Sequence, residues 1–217
     1  MPKAVIFDMD GVLVDSMNIH WLAWREAFRA YNIEITHEEF AKTSGMTHGP
    51  TALHLGAKNF PESDIANLAA IQKDVALRLL AENYPAIPGA SDLIRSLDLA
   101  GWRLAVATSG HPVNVELLRK NLPEANRFSV FVTCEDVTRS KPDPEVFLIA
   151  AERLGVTPAD AVVIEDSIVG LEAAKRGGFI AVGLTTTFTR EKLAPMADMV
   201  VDSLYNLPTE VICGLFG

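Results

Sequence analysis

The chain has 217 residues, of which 49% are hydrophobic, so it is long enough for one large domain and a smaller insert. Its formal charge of −9 and its pI near 5.0 argue against nucleic acid or an anionic membrane surface as a partner. The two cysteines lack metal-ligand spacing, and the sequence has neither a signal-peptide pattern nor an apolar run of bilayer length. We therefore expect a soluble cytoplasmic protein with free thiols and no membrane partner.

The first predicted element is a buried strand over about residues 3–7, and it ends in two acids. Three apolar residues precede Asp8, Asp10 follows two positions later, and Gly11 closes the stretch. Residues two apart in a strand point to the same side, and buried carboxylates need a cation or a proton. The alternative is a solvated acidic turn. An EF-hand calcium loop fits less well, because Gly11 follows Asp10 where a further oxygen ligand is needed.

The next 70 or so residues show helical patterns and no strand. A helix from about Met17 to Tyr31 places His20, Trp24 and Phe28 on one face. A short helix at 37–40, turn residues at 45–50 and a long helix from Pro61 follow. Prolines near residues 85–88 indicate a linker. The apolar positions of the long helix are Leu68, Ile71, Val75 and Leu79.

From residue 89 onward, helices and strands alternate regularly. Strands are predicted at 103–107, 130–133, 161–164, 180–184 and 199–201. Such alternation of helices with apolar, β-branched strands predicts a parallel sheet with helices on both faces. The predicted fold class is therefore α/β, with a Rossmann-like parallel sheet core and an inserted all-helical domain. We expect the core to comprise residues 1–15 and 87–217 and the insert to comprise 16–86.

Four clusters of polar residues lie at, or just beyond, the ends of predicted strands. In parallel sheets, ligands bind at this edge, outside the carboxyl ends of the strands. Asp8 and Asp166 are hard oxygen ligands of the kind that Mg²⁺ takes. Thr108 offers a hydroxyl before a helix N-terminus, which favours anions, and Lys141 offers a point charge that can pair with a phosphate and with Asp8. The four clusters are Asp8 with Asp10, Thr108 with Ser109, Lys141, and Glu165 with Asp166.

Each cluster also has a simpler interpretation. Thr108 and Ser109 alone are compatible with a helix cap, Lys141 with a solvated loop lysine, and Glu165 and Asp166 with an acidic turn. Their joint occurrence at separate strand ends favours a phosphate site.

A carboxylate that attacks a phosphate dianion brings like charges together. At about 4 Å and an effective dielectric constant near 20, each pair of unit charges costs roughly 4 kcal/mol. A divalent cation and a lysine offset that repulsion. Asp8 can then form an aspartyl-phosphate, and Asp10 can protonate the leaving alkoxide and later accept a proton from the attacking water.

These motifs resemble those of the haloacid-dehalogenase-like (HAD) superfamily of hydrolases, in the branch of β-phosphoglucomutase and the small sugar-phosphate phosphatases. The resemblance implies that Asp8 is the nucleophile and Asp10 the acid/base. It further implies that Thr108, Ser109 and Lys141 bind phosphate. The matching segments are Asp8–Val12, Val106–Ser109, Ser140–Asp143 and Ile164–Ser167.

The resemblance also implies a Mg²⁺ site and a mobile helical cap. The implied Mg²⁺ ligands are Asp8, the carbonyl of Asp10, and Asp166, with Glu165 nearby. Substrate choice is expected to lie in the cap, and its candidate residues are His20, Trp24, Thr47 and His48.

The expected function is a Mg²⁺-dependent phosphatase, a monomer that acts on a small phosphorylated metabolite such as a sugar phosphate. A β-phosphoglucomutase-type phosphomutase is the alternative, although that enzyme carries an arginine where this chain has His48 and a lysine near the position of His111. A third hypothesis is a catalytically silent binding protein on the same fold, against which the intact pair of Asp8 and Asp10 argues.

Overall fold

The structure, a computed structural model, describes residues 3–43 and 48–216. The chain divides into two compact units. One, here called the sheet unit, is formed by the chain up to Asp15 and from Ala86 onward. The other, the helical unit, is Ser16–Pro85.

The sheet unit contains a six-stranded sheet in which every neighbouring pair of strands is parallel. The strand order is β3-β2-β1-β4-β5-β6. This confirms the predicted α/β fold with a parallel sheet. The strands are β1 (Ala4–Phe7), β2 (Arg103–Ala107), β3 (Val130–Val132), β4 (Ala161–Glu165), β5 (Ile180–Leu184) and β6 (Met199–Val201).

The strand register brings the predicted motifs to one edge. Phe7, the last residue of β1, pairs with Val106 of β2 on one side and with Ile164 of β4 on the other. Because the three strands run in the same direction, the residues that follow these positions emerge side by side. The first motif is therefore flanked directly by the ends of β2 and β4.

Helices cover both faces of the sheet. Ala4 and Ile6 of β1 share a buried cluster with Phe147 and Ala173, which belong to the helical layer on one face. Phe7 points to the opposite face from Ile6, because successive strand residues alternate. There its ring packs edge-on against that of Phe128, at a centroid distance of 5.5 Å. The helices of this unit are α5 (Ala90–Leu99), α6 (Pro112–Asn121), α7 (Glu145–Leu154), α8 (Ile168–Arg176), α9 (Arg190–Leu193) and α10 (Thr209–Gly214).

The helical unit has its own core. Trp24 and Phe28 of its first helix are buried with Phe40 and Leu68, so the stripe predicted at helical spacing is largely core packing. Thr36 caps the second helix through a reciprocal capping box with Glu39. The helices are α1 (Met17–Arg29), α2 (His37–Ala41), α3 (His48–Leu55) and α4 (Glu62–Glu82).

Two details of the helical unit differ from the prediction. Residues 48–50, expected in a turn, form the first turn of α3. Of the apolar positions predicted in α4, Leu68 is buried and the other three are half-buried, and the buried face also contains the polar residue Gln72. Apolar spacing could not predict Gln72, because it is a polar residue that is both buried and hydrogen-bonded to two histidines. The buried residues of α4 are Leu68, Gln72, Ala76 and Leu80.

The two chain segments that lead out of the sheet unit pair with each other. Val14 and Ala86 form an antiparallel bridge, and the N–H of Ile87 donates to the carbonyl of Leu13 at 3.0 Å. Across the described residues, no helix combines the length and hydropathy that a bilayer crossing requires. Neither Cys134 nor Cys213 forms a disulfide.

Candidate active site

Three carboxylates meet at the carboxyl edge of the two central strands. Asp8 directly follows β1, Glu165 ends β4, and Asp166 comes next. One oxygen from each lies within 4.8 Å of the others. All three residues are buried, with exposures of 6%, 1% and 5% respectively. The sheet register alone explains the encounter, because Phe7 and Ile164 are paired neighbours.

Lys141 places its ammonium group between two of these carboxylates. Nζ lies 2.6 Å from Oδ1 of Asp8 and 2.8 Å from Oε1 of Glu165. The lysine side chain is only 6% exposed, and its ammonium lies 4.7 Å from the ring centroid of Phe147. A buried ammonium of this kind is stabilised by its carboxylate partners.

Glu165 is committed to holding that lysine. Its Oε2 accepts hydrogen bonds from the backbone N–H and the hydroxyl of Ser167 at 2.7 and 2.8 Å, while Oε1 accepts from Lys141. Ser167 also caps α8 by accepting from the N–H of Gly170. A Cβ at Gly170 would lie 1.7 Å from Oε1 of Glu165, so only glycine leaves room for this side chain.

Charge crowding perturbs the acids of the cluster. Burial, followed by the charges of Glu165 and Asp10, raises the pKa of Asp8 to about 7, although Lys141 opposes the shift. Burial and the neighbouring carboxylates raise the pKa of Asp166 well above its usual value. Burial by itself lowers the pKa of Lys141, but the attraction of Asp8 and Glu165 outweighs that effect and raises it. The ionised cluster is therefore short of positive charge.

Asp10 and Gly11 form the turn after β1. Asp10 is half-buried. Gly11 has a φ of +79°, and a Cβ there would lie 1.9 Å from Oδ2 of Asp166. The glycine thus lets the turn adopt its left-handed backbone and lets Asp166 approach it closely.

The end of β2 lies beside the same edge. Thr108 is buried, its N–H donates to the carbonyl of Val132, and its hydroxyl accepts from the N–H of Gly110 at 2.9 Å. Ser109 is exposed. The helix that follows begins at Pro112, later than the sequence suggested.

The donor set of the cluster fits a divalent cation. Asp8, Glu165 and Asp166 supply only carboxylate oxygens, which are ligands for hard cations such as Mg²⁺. The ammonium of Lys141 lies between Asp8 and Glu165, and burial together with mutual repulsion raises the pKa of Asp8 and of Asp166. A bound cation would offset that repulsion.

In the helical unit, one buried amide joins two of the predicted substrate residues. Oε1 of Gln72 lies 2.9 Å from Nε2 of His48, and Nε2 of Gln72 lies 3.1 Å from Nδ1 of His20. Because the amide oxygen can only accept and the amide nitrogen can only donate, Nε2–H of His48 donates to Oε1 of Gln72 and Nδ1 of His20 accepts from Nε2 of Gln72 in this arrangement. The ring of His48 also lies 5.9 Å from that of Trp24. Thr47 lies outside the described residues.

Sequence reasoning missed several residues that contact the predicted site. Gln72 is polar within an apolar helical face and gave no periodic signal. Ser167 is the last residue of the fourth motif but was given no role, although its place before a helix is a recognisable capping signal. The threonines at 185–187 follow β5 at the same edge of the sheet, so a search of strand ends could have found them.

The sequence profile of the haloacid dehalogenase-like hydrolase family matches residues 5–184. The chain belongs to this family. Validoxylamine A 7′-phosphate phosphatase of Streptomyces hygroscopicus subsp. limoneus is 33% identical over 207 residues, which cover 94% of this chain and 95% of that protein.

Two solved structures of HAD proteins are also similar. β-Phosphoglucomutase from Clostridium difficile has a TM-score of 0.87 and 25% identity, covering 100% of this chain and 97% of that one. A CbbY variant from Rhodobacter sphaeroides in complex with xylulose-(1,5)bisphosphate has a TM-score of 0.83 and 30% identity, covering 95% and 96%. The predicted superfamily, with its phosphatase and phosphoglucomutase branch, is confirmed.

Proposed function

We propose that this HAD hydrolase is a Mg²⁺-dependent phosphatase that cleaves a small phosphorylated metabolite through an aspartyl-phosphate on Asp8. The observation that carries the proposal is the buried cluster in which Lys141 bridges Asp8 and Glu165 beside Asp166. Burial of so much charge costs stability, and clusters of this kind are typical of functional sites.

Asp8 is the proposed nucleophile. Lys141 holds its Oδ1, which fixes the carboxylate and offsets its charge when the phosphate approaches. Glu165 holds Lys141 in turn, through an oxygen that Ser167 does not use. Asp8 can therefore keep one orientation while its ionised form remains available for attack on phosphorus.

Asp10 is the proposed acid and base, because its position in the turn after β1 keeps it near Asp8 without burying it completely. Proton transfer by such a group contributes about 10²–10⁴-fold to a rate. Thr108 and Ser109, at the end of β2, are the proposed phosphate binders together with Lys141. The exposed position of Ser109 leaves its hydroxyl accessible to a ligand.

Asp8 and Asp166, with the Asp10 carbonyl and with Glu165 nearby, are the residues that would hold Mg²⁺. The bound ion supplies positive charge against the repulsion between the attacking carboxylate and the phosphate.

The proposed substrate is a phosphorylated sugar or a related hydroxylated compound. The Streptomyces phosphatase, whose name specifies a 7′-phosphate, supports this class, as does the CbbY complex with a pentulose bisphosphate. We propose that the helical unit selects the substrate through His20 and His48, with Trp24 and Thr47 as further candidates. We also propose that the enzyme acts as a cytoplasmic monomer.

A β-phosphoglucomutase-type mutase is the second candidate, favoured by the TM-score of 0.87 to such an enzyme. Against it, this chain carries His48 and His111 near positions where the mutase has cations. A mutase must hold a second phosphate, and His48 is already bonded to Gln72.

The test is a panel of phosphorylated sugars and other metabolites incubated with Mg²⁺-loaded protein. Free phosphate and isomerised product are measured in the same reaction, with the Asp8→Asn variant as control. We expect free phosphate to exceed isomerised product for the preferred substrate. Isomerisation with little phosphate release would identify a mutase. Absence of turnover on the panel and on p-nitrophenyl phosphate, by folded protein that binds Mg²⁺, would indicate a silent binding protein.

A further inference from the structure

Two threonines that follow β5 contact the proposed cation site. The hydroxyl of Thr187 donates to Oδ2 of Asp166, and the hydroxyl of Thr186 donates to the carbonyl of Gly11 at 2.5 Å. The first partner is a proposed cation ligand. The second lies in the turn that also carries Asp10, whose carbonyl is another proposed ligand.

We propose that Thr186 and Thr187 are positioning residues for the cation site, acting through Asp166 and through the turn after β1. This inference rests on the proposed function in that it requires a divalent cation at the carboxylate cluster. Neither threonine is proposed to touch the cation or the substrate.

Electrostatic repulsion gives Thr187 its role. Three carboxylates within 4.8 Å repel one another, and Lys141 hydrogen-bonds Asp8 and Glu165. Asp166 receives its hydrogen bond from Thr187 instead. Without that bond, repulsion would favour rotation of the Asp166 carboxylate away from its neighbours, and a cation would have to be bound by a less ordered ligand.

Oδ2 of Asp166 is located from two sides. The hydroxyl of Thr187 binds it, and the backbone of Gly11 approaches so closely that a Cβ there would lie 1.9 Å from it. Thr186 then fixes the carbonyl of Gly11 itself. The two threonines thus set the position of Asp166 relative to the turn that carries Asp10.

The loop that carries the threonines is anchored at both ends. The N–H of Thr185 donates to the carbonyl of Val201 at 3.0 Å, and its hydroxyl donates to Oδ1 of Asp202 at 3.0 Å. Phe188 packs against the main core of the sheet unit. Groups on such an anchored loop can orient a ligand, because they lose little conformational entropy when the cation binds.

The experiment measures cation binding without any phosphate compound. Mn²⁺ affinity is determined from the electron paramagnetic resonance signal of the free ion, and Mg²⁺ affinity by calorimetry. Removal of an outer partner of a ligand weakens metal binding by about 10–100-fold. We expect the cation affinity of Thr187→Val to fall by a factor in this range and that of Thr186→Val to fall as well. Thr187→Ser, which keeps the hydroxyl, is expected to restore most of the affinity.

Thr157→Val is the matched control. Thr157 also donates its hydroxyl to an aspartate, Asp160, at 2.7 Å, but it precedes the amino end of β4, at the opposite edge of the sheet from the site. We expect the cation affinity of this variant to equal that of the wild type. Thermal unfolding in chelator verifies that each variant folds, and Thr187→Ala replaces Thr187→Val if the valine variant does not.

The inference is overturned if the Thr187 variants that lack the hydroxyl bind Mn²⁺ as tightly as Thr157→Val, or if the wild type binds neither cation. Failure of the proposed function is a separate result. If Mn²⁺ affinity depends on the Thr187 hydroxyl but the wild type hydrolyses no phosphate ester, the positioning role stands and the phosphatase proposal falls.

Discussion

Replacement of Lys141 by methionine tests whether its ammonium holds the buried cluster together. The variant keeps most of the side-chain volume but leaves Asp8 and Glu165, which lie 2.6 and 2.8 Å from the lost nitrogen, without their shared partner. Loss of one partner from a buried ion pair costs about 3–5 kcal/mol. We expect the free energy of unfolding to fall by this amount near neutral pH in the presence of a chelator.

The loss of stability in Lys141→Met should depend on pH in a defined direction. A raised carboxyl pKa means that the folded protein binds protons more tightly than the unfolded chain, so stability is lost as the pH rises through the folded pKa. For Asp8 that value is about 7, and its largest opposing influence is the charge of Lys141. The raised pKa of Lys141 keeps it charged throughout this range. The deficit of Lys141→Met should therefore be greatest near about pH 8 and smaller near about pH 5.

The assay is urea-induced unfolding followed by circular dichroism, with chelator and with Mg²⁺. Lys175→Met is the matched control, because Lys175 pairs with Asp198 while its side chain is 44% exposed. An exposed pair contributes at most about 1 kcal/mol. Mg²⁺ should reduce the difference in unfolding free energy between Lys141→Met and the wild type, because it supplies positive charge to the cluster. Equal destabilisation of the two variants near about pH 8 would refute the reasoning.

Three further predictions concern the turn, the nucleophile and the helical unit. Asp8→Asn should abolish turnover. In chelator it should also be more stable than the wild type above about pH 7, by up to about 4 kcal/mol, because ionisation of Asp8 at a pKa of about 7 opposes folding. Urea unfolding across the pH range measures this stability difference, and a difference that does not shrink toward about pH 4 contradicts the prediction. Gly11→Ala should remove most of the cation binding measured by calorimetry, because the new Cβ would displace Asp166. The φ of +79° at this position adds a backbone cost of about 1–2 kcal/mol for alanine. Unchanged Mg²⁺ affinity would show that Asp166 is not a ligand. His48→Ala and Gln72→Leu should change the order of preference among sugar phosphates while sparing hydrolysis of p-nitrophenyl phosphate; equal losses on every substrate would place these residues in the catalytic step.

Much of the fold could be predicted because its signals are local. Apolar runs that end in polar residues marked the strands, and helical spacing marked the elements between them. The first strand illustrates this: its residues are buried on both faces, so the run before Asp8 is uniformly apolar. By contrast, apolar spacing gave no signal for Gln72 of α4, because its side-chain amide is bonded to histidines 24 and 52 positions away.

The same distinction holds at the candidate site. The general rule for parallel sheets predicted that Asp8, Lys141 and Asp166 would share an edge, since a strand end has a defined place in that architecture. The rule could not specify that Glu165 binds Lys141 through one oxygen and Ser167 through the other.

The sequence by itself therefore determined the strands, which strand ends carry the reactive residues, and the family. Only the tertiary structure decided which oxygen of each acid is occupied, which glycines are required by close approach, and that threonines after β5 contact the turn after β1. The physical reason is that strand and helix patterns arise from neighbours along the chain. Hydrogen bonds such as that from Thr186 to Gly11, 175 positions apart, exist only once the sheet has assembled.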